Sequence, residues 1–234
     1  MPVFQLTEDI AFPHPSLAED GLLAIGGDLS PQRLLLAYRN GIFPWPEGEG
    51  LPLLWASPNP RLVLFPHKLK PSKRLLRTIR SNTFSIKFDT QFVKVIRHCA
   101  RVPRPGQRGT WITRDIINAF TKLHELRVAH SVETYHNEEL VGGMYGLSLG
   151  GAFFGESMFH LKPDASKVAL YYLVEFMKQY DFDFLDAQVP TPHMLQWGAE
   201  TMSREHYFLL LKQTLKKRTL RGSWKEKDVI HQDV

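Results

Sequence analysis

The feature that most constrains this chain is a run of three apolar, β-rich stretches joined by very short turns. His130 to Tyr135 reads as a strand; His136-Asn137-Glu138-Glu139 turns the chain into Leu140 to Leu149, and Gly150-Gly151 returns it into Ala152 to His160. Turns this short join antiparallel neighbours, so the centre of the fold must be an antiparallel meander. Pro163-Asp164 then opens a long helix to about Lys178, Phe182 to Val189 reads as a further strand, and Ser203 caps a last helix reaching Lys217. Upstream, Pro71 to Arg80 has the spacing of an amphipathic helix and Thr113 caps another to about Leu126. Adjacent antiparallel strands followed by helix, strand and helix define an α+β class.

The first sixty residues have a different texture. They are rich in Pro and Gly around one short helix, with Ser30 as N-cap, Pro31 at the first helical position and Gly41 placed to end it. Ser57-Pro58-Asn59-Pro60 punctuates the chain again, which sets an expected boundary between a small N-terminal α/β domain, 1–60, and a larger domain, 61–234. The single cysteine, Cys99, cannot form an internal disulfide and lies in a stretch that reads as helix, so it is expected to be a small buried residue. The chain opens without a basic stub and apolar run, and every apolar stretch is broken before about 20 residues. A cytoplasmic protein with no membrane span is therefore expected.

Lys and Arg number 29 against 24 Asp and Glu. That small excess matters only where it is clustered. In the helix from Pro71, Lys70, Lys73, Arg74, Arg77 and Arg80 share one arc opposite Leu75, Leu76 and Ile79. Cations without interleaved acids repel one another, so the pattern points either to an RNA backbone or to a solvated face. The second basic run, Lys212, Lys216, Lys217, Arg218 and Arg221, suits a plain helix C-terminus.

Three polar residues stand in apolar strands. Asp186 and Gln188, two apart, are expected to project from one face, and Glu156 to share a face with Phe154 and Met158. Such groups must be paired or hydrogen-bonded, and they concentrate both at functional sites and in structural ion pairs. Trp45, between prolines, and Trp111, just before a helix, could stack on a base or pack at an interface. Met144 and Met158, with Phe153, Leu170 and Leu185, are core residues unless a pocket opens beside the long helix. His124-Glu125 with His130 lacks zinc-protease spacing, and Gly155-Glu156-Ser157 lacks the frame of a hydrolase elbow. No metal, no cofactor and no covalent nucleophile are expected.

Gly26-Gly27-Asp28-Leu29-Ser30-Pro31, Gly41-Ile42-Phe43-Pro44-Trp45, Thr110-Trp111-Ile112, His124-Glu125-Leu126, Ala129-His130-Ser131-Val132-Glu133, Gly155-Glu156-Ser157-Met158-Phe159, Ala165-Ser166-Lys167 and Asp186-Ala187-Gln188 stand in this order. Together they resemble bacterial leucyl/phenylalanyl-tRNA–protein transferases over nearly the whole chain, the tail after about Arg221 adding nothing. The resemblance implies a small N-terminal domain and a C-terminal GCN5-related N-acetyltransferase-like domain with a largely antiparallel sheet. It also implies transfer of Leu or Phe, with Met a further candidate, from aminoacyl-tRNA to proteins beginning with Arg or Lys, marking them for N-degron degradation, by a monomeric enzyme. By the same resemblance Trp45 and Trp111 hold the terminal adenosine, and Met144, Phe153, Met158, Leu170 and Leu185 line the side-chain pocket. Asp186 and Gln188 orient or activate the attacking amine, and Glu156 lies near the aminoacyl amine. Strand alternation, however, sets Phe153 opposite Met158. Ala56, Asn59, Arg127, His160 and Gln196-Trp197 depart from the family's usual residues. An acyl-CoA transferase and a non-catalytic RNA-binding module are the rival readings.

Overall fold

The computed structural model describes residues 3–102 and 110–227. Its first part contains β1 (Phe4–Leu6), β2 (Leu22–Gly26), α1 (Pro31–Arg39), β3 (Phe43–Pro44) and β4 (Leu54–Ala56). The strands form one sheet in the order β1-β2-β4-β3, with β1 parallel to β2 and the other pairs antiparallel. Ser30 accepts from the amide of Arg33 at the start of α1, and Gly41 follows its end at φ +70°. A Cβ at Gly41 would lie 2.9 Å from the rings of Tyr207 and Phe208, so glycine answers both the left-handed turn and the close approach.

The rest runs β5 (Arg61–Leu64), α2 (Lys73–Arg80), β6 (Ser85–Phe88), α3 (Phe92–Arg101), α4 (Arg114–Glu125), β7 (Ala129–His136), β8 (Glu139–Leu149), β9 (Ala152–His160), α5 (Ala165–Gln179), β10 (Phe184–Gln188), α6 (Pro192–Gln196), β11 (Glu200–Met202) and α7 (Arg204–Thr214). The strands make one sheet in the order β11-β5-β10-β9-β8-β7-β6, antiparallel except between β10 and β9. The expected meander is β7-β8-β9; Asn137 and Glu138 turn it at φ 49° and 67°, and Gly150 at 57°. Thr113 and Ser203 cap α4 and α7 as their sequences require, accepting from Ile116 and His206. The fold is thus mixed α+β with a small N-terminal sheet and a largely antiparallel large one.

Two apolar cores follow from the two faces of the large sheet. One buries α1, α3 and α4 residues with Trp55, Tyr145, Phe154 and Tyr207; the other buries α5 with Met144, Phe153, Leu185 and Trp224. Trp224, beyond the last helix, is fully buried, stacked 3.8 Å on His130 and 4.5 Å from Phe176. The tail therefore closes the α5 core, a role its lack of periodicity conceals. No helix among the described residues is long and apolar enough to cross a membrane.

Strand alternation fails at one place that matters. Tyr145 pairs with Ser157 but Gly146 with Gly155, so Glu156 is the extra residue of a β-bulge. Phe154 packs in one core, while Phe153 and Met158 both face the other. The conflict between Phe153 and Met158 disappears, and the expectation that Glu156 shares one face with Phe154 and Met158 is corrected, because one inserted residue reverses the alternation.

Candidate active site

β9 and β10 run side by side from Ala152/Phe184 to Phe154/Asp186 and pair no further. Beside that divergence lies a cavity of about 360 Å³. Met144 of β8, Met158 of β9, Leu170 of α5 and Leu185 of β10 form its apolar wall, and Thr191, His193 and Met194 at the start of α6 close another side. Glu156 is the carboxyl group in its lining.

The residue Glu156 is half-buried, yet its carboxyl is withdrawn from water. The Tyr38 hydroxyl donates to Oε1 at 2.7 Å and the Gln188 side-chain amide donates to the same atom at 2.9 Å. Among the described residues, Oε2 has no hydrogen-bond partner. Burial pushes this carboxyl up to about 8, and the nearby charge of Asp186 pushes the same way, against the two hydrogen bonds. At neutral pH Glu156 is therefore largely a neutral acid with one unanswered oxygen. Burial and the Glu156 charge likewise raise Tyr38 well above its ordinary range.

Asp186 lies one strand away in a different state. Its Oδ1 accepts from Arg61 Nε and the Gln188 backbone amide, both at 2.9 Å. Its Oδ2 accepts from an Arg61 terminal nitrogen and the Tyr207 hydroxyl, both at 2.6 Å. The guanidinium is fully buried, donates to the Gly41 carbonyl at 3.1 Å and lies between the rings of Phe43 and Tyr207. Opposite charge keeps Arg61 protonated despite its burial. All four acceptor positions of Asp186 are thereby used. Asp186 and Gln188 do not stand side by side toward one substrate as expected: the register shifts between them, Gln188 takes φ 63°, and the two side chains meet different partners.

The cavity thus unites Glu156, Met144, Met158, Leu170 and Leu185. Phe153 stands behind it, fully buried with its ring 5.9 Å from Trp224. Trp45 is 39% exposed and tilted against Phe43, and Trp111 is half-buried against the core that buries α1, α3 and α4; neither borders the cavity. Pro46 and Thr113, close to them in sequence, border a second cavity of about 570 Å³ beside α4. Lys70, Lys73, Arg74, Arg77 and Arg80 are all exposed along α2 and just before it. Arg74 approaches Asp164 at 3.6 Å, and Asp164 also takes Lys167 at 2.8 Å, so α2 adjoins the start of α5.

Sequence reasoning missed Tyr38, Arg61, Tyr207 and His193. Arg61 carried a signal: a cation opening the apolar run Arg61-Leu62-Val63-Leu64 demands a buried anion, as Asp186 in its own strand demands a cation. Among the described residues, no three His, Cys, Asp or Glu are placed to hold a metal.

The contrast between the two carboxyl groups is measurable in unfolding. Asp186→Asn leaves the Arg61 guanidinium buried without its counter-charge and should cost about 3–5 kcal/mol in denaturant unfolding. Glu156 keeps its proton to about pH 8 when folded but to its ordinary 4.5 when unfolded. The folded chain then binds more protons between those values, so stability contributed by this group falls as pH rises through that window. In Glu156→Gln that part of the pH dependence of unfolding should vanish.

Residues 63–212 match the family described as Leucyl/phenylalanyl-tRNA protein transferase, and residues 27–59 match the N-terminal domain of the same description. The chain is 52% identical over 225 residues to the leucyl/phenylalanyl-tRNA–protein transferase of Syntrophobacter fumaroxidans, covering 96% of each. It is 51% identical to that of Anaeromyxobacter sp. (96% of this chain, 95% of the relative) and 48% identical to that of Thermodesulfovibrio yellowstonii (96% and 91%). A functionally unknown conserved protein from Staphylococcus epidermidis superposes with a TM-score of 0.41 at 11% identity, covering 78% of this chain and 68% of that one, too loosely to carry an argument. At this identity and coverage, the chain belongs to the leucyl/phenylalanyl-tRNA–protein transferase family.

Proposed function

We propose that this chain takes Leu or Phe from aminoacyl-tRNA and joins it to the N-terminal Arg or Lys of acceptor proteins in the cytoplasm, marking them for the N-degron route. The observation that carries this reading is the apolar cavity with one carboxyl group in its wall. Met144, Met158, Leu170 and Leu185 suit an unbranched or aromatic apolar side chain, and Met side chains adapt to either shape. Phe153 supports that wall from behind. Glu156, held by Tyr38 and Gln188, faces the amino group of the same aminoacyl residue. Trp45 and Trp111 stack on the terminal adenosine, and Lys70, Lys73, Arg74, Arg77 and Arg80 meet the tRNA backbone. No cofactor is required, and the chain acts as a monomer.

We read residues 1–60 as a small N-terminal domain and 61–234 as a catalytic domain of GCN5-related N-acetyltransferase type. Confinement of the smaller sheet to residues 4–56 and the divergence of β9 from β10 support this reading.

The aminoacyl ester is already activated, so placement supplies most of the acceleration. The acceptor's neutral α-amine attacks the ester carbonyl carbon, a C–N bond forms, and the C–O bond to the ribose breaks. The proton lost by the amine ends on the departing ribose oxygen, with the neighbouring hydroxyl as carrier. Asp186 and Gln188 serve as positioning groups: Asp186 fixes the Gln188 backbone through its amide, and Gln188 in turn fixes Glu156.

An acyl-CoA enzyme on such a sheet would offer backbone N–H groups to a pyrophosphate at the start of α5. Here Asp164 occupies that position at φ 66°, with its carboxylate engaged by Lys167. The run His160-Leu161-Lys162-Pro163-Asp164 also holds no glycine for such a cradle. An RNA-binding module alone leaves Glu156 and the apolar cavity without a purpose.

Purified protein should therefore transfer labelled Leu from Leu-tRNA to a peptide beginning with Arg, without CoA and in the presence of EDTA; use of acetyl-CoA, or loss on chelation, would sink the reading. Arg74→Glu combined with Arg77→Glu should weaken tRNA binding and flatten its salt dependence by about one log-log unit for each phosphate that is no longer neutralised. Transfer from a minimal aminoacyl-adenosine donor should be spared. Equal impairment with both donors would assign the helix to folding.

A further inference from the structure

The cavity wall carries a second polar atom with no partner. His193 is the second residue of α6, after Thr191, which caps the helix by accepting from Met194, and Pro192. His193 lines the same cavity as Glu156, and among the described residues its Nε2, withdrawn from water, has no hydrogen-bond partner. A buried imidazole nitrogen left unanswered costs free energy, and such an atom calls for an explanation such as a catalytic role or a bound group. Two unanswered atoms, Glu156 Oε2 and His193 Nε2, belong to residues that line one cavity, whose other neighbours are largely apolar.

We propose that His193 is a further substrate-contacting residue of the transfer reaction: its neutral Nε2 accepts a hydrogen bond from the acceptor's α-amine and turns the amine lone pair toward the ester carbon. This deepens the aminoacyl-transfer reading above and rests on it. Glu156 suits the same work less near neutrality, because burial pushes its carboxyl up to about 8 and Oε1 already takes Tyr38 and Gln188. Asp186 has no acceptor position left. His193 has the required state: burial lowers its pKa, and the charges of Lys167 on α5 and His160 on β9 lower it further. It stays largely uncharged at physiological pH, and in the tautomer with the ring proton on Nδ1 its Nε2 accepts. The same Lys167 charge disfavours an ammonium beside it and so selects the neutral, nucleophilic form of the incoming amine. No bond to His193 forms or breaks; it orients the amine while the ribose hydroxyl carries the proton.

The test is steady-state transfer of Leu from Leu-tRNA to an Arg-initiated peptide by the wild-type chain, His193→Ala and His193→Gln, with donor and acceptor varied separately. His193→Ala should lower kcat/KM for the acceptor by about tenfold or more, leave the Kd for Leu-tRNA within about twofold and keep the melting temperature. His193→Gln, whose amide oxygen can accept, should recover part of the loss. The pH profile gives a readout that a packing role would not move. The acceptor amine, with a free pKa of about 7.7–8.0, makes the log rate fall by about one unit per pH unit on the acid side. Protonation of His193, below its depressed pKa, should steepen that fall in the wild type but not in His193→Gln. An acceptor kcat/KM in both variants within about twofold of wild type, a loss confined to donor binding, or an acid limb of identical slope in wild type and His193→Gln would overturn the assignment. Wild-type protein that transfers nothing would instead overturn the underlying reading of aminoacyl transfer.

Discussion

The buried ion pair between Arg61 and Asp186 organises the molecule more than any other interaction. Arg61 opens β5, Asp186 lies in β10, and the shared hydroxyl of Tyr207 comes from α7, while the guanidinium also reaches the carbonyl of Gly41 after α1. One charged cluster thus ties the end of the first helix, two neighbouring strands of the large sheet and the last helix. Such a pair gains little net stability over a well-packed apolar substitute, because both ions lose their hydration. Its value lies in selectivity of arrangement. Any register of β5 against β10 that separates the two charges strands both of them in an apolar interior, so competing pairings are disfavoured by several kcal/mol.

The consequence reaches the cavity through the backbone. Asp186 accepts from the Gln188 amide, and the register with β5 shifts between the two residues. Gln188 then adopts φ 63°, a conformation costly for a side chain other than glycine unless its surroundings hold it. Its amide meets Glu156, itself the inserted residue of the bulge in β9. Two irregular strands side by side, each departing from alternation by one residue, bring together groups that regular strands would have kept on fixed faces.

This explains which parts of the fold were legible in sequence. Turns and caps depend on local chemistry: Asn137-Glu138, Gly150-Gly151, Ser30, Thr113 and Ser203 each act within a few residues, and each element they bound stands within a few residues of its expected place. The bulge at Glu156 was not legible, because nothing in Gly155-Glu156-Ser157 distinguishes an inserted residue from a paired one until the partner strand is known. The short strands β1 to β4 escaped for a similar reason; runs of two to five residues among Pro and Gly carry too little periodicity to register. Trp224 escaped because a single aromatic in a polar tail has no pattern, although it fills the core behind Phe153. Of the candidate site, the residue pattern marked the carboxyl of Glu156, but it left Met144, Met158, Leu170 and Leu185 as core residues that only the family resemblance set around a pocket; the state of Asp186 was not legible, since its partner Arg61 lies 125 positions away.

Asp186 and Glu156 illustrate how one sheet holds two carboxyl groups in opposite states. Both lie among apolar strands, and the charge of Asp186 helps to raise Glu156. Asp186 is given a guanidinium, a tyrosine hydroxyl and a backbone amide that together answer its full charge. Glu156 receives two neutral donors on one oxygen and none on the other, which is insufficient to keep it ionised, and its pKa rises to about 8. The ionised member must stay buried and occupied, because freeing it would expose an unpaired charge to the interior. The neutral member can border an open apolar cavity at little cost. That division of states follows from the donors each carboxyl receives, and the one with an unused oxygen belongs to the residue that lines the cavity.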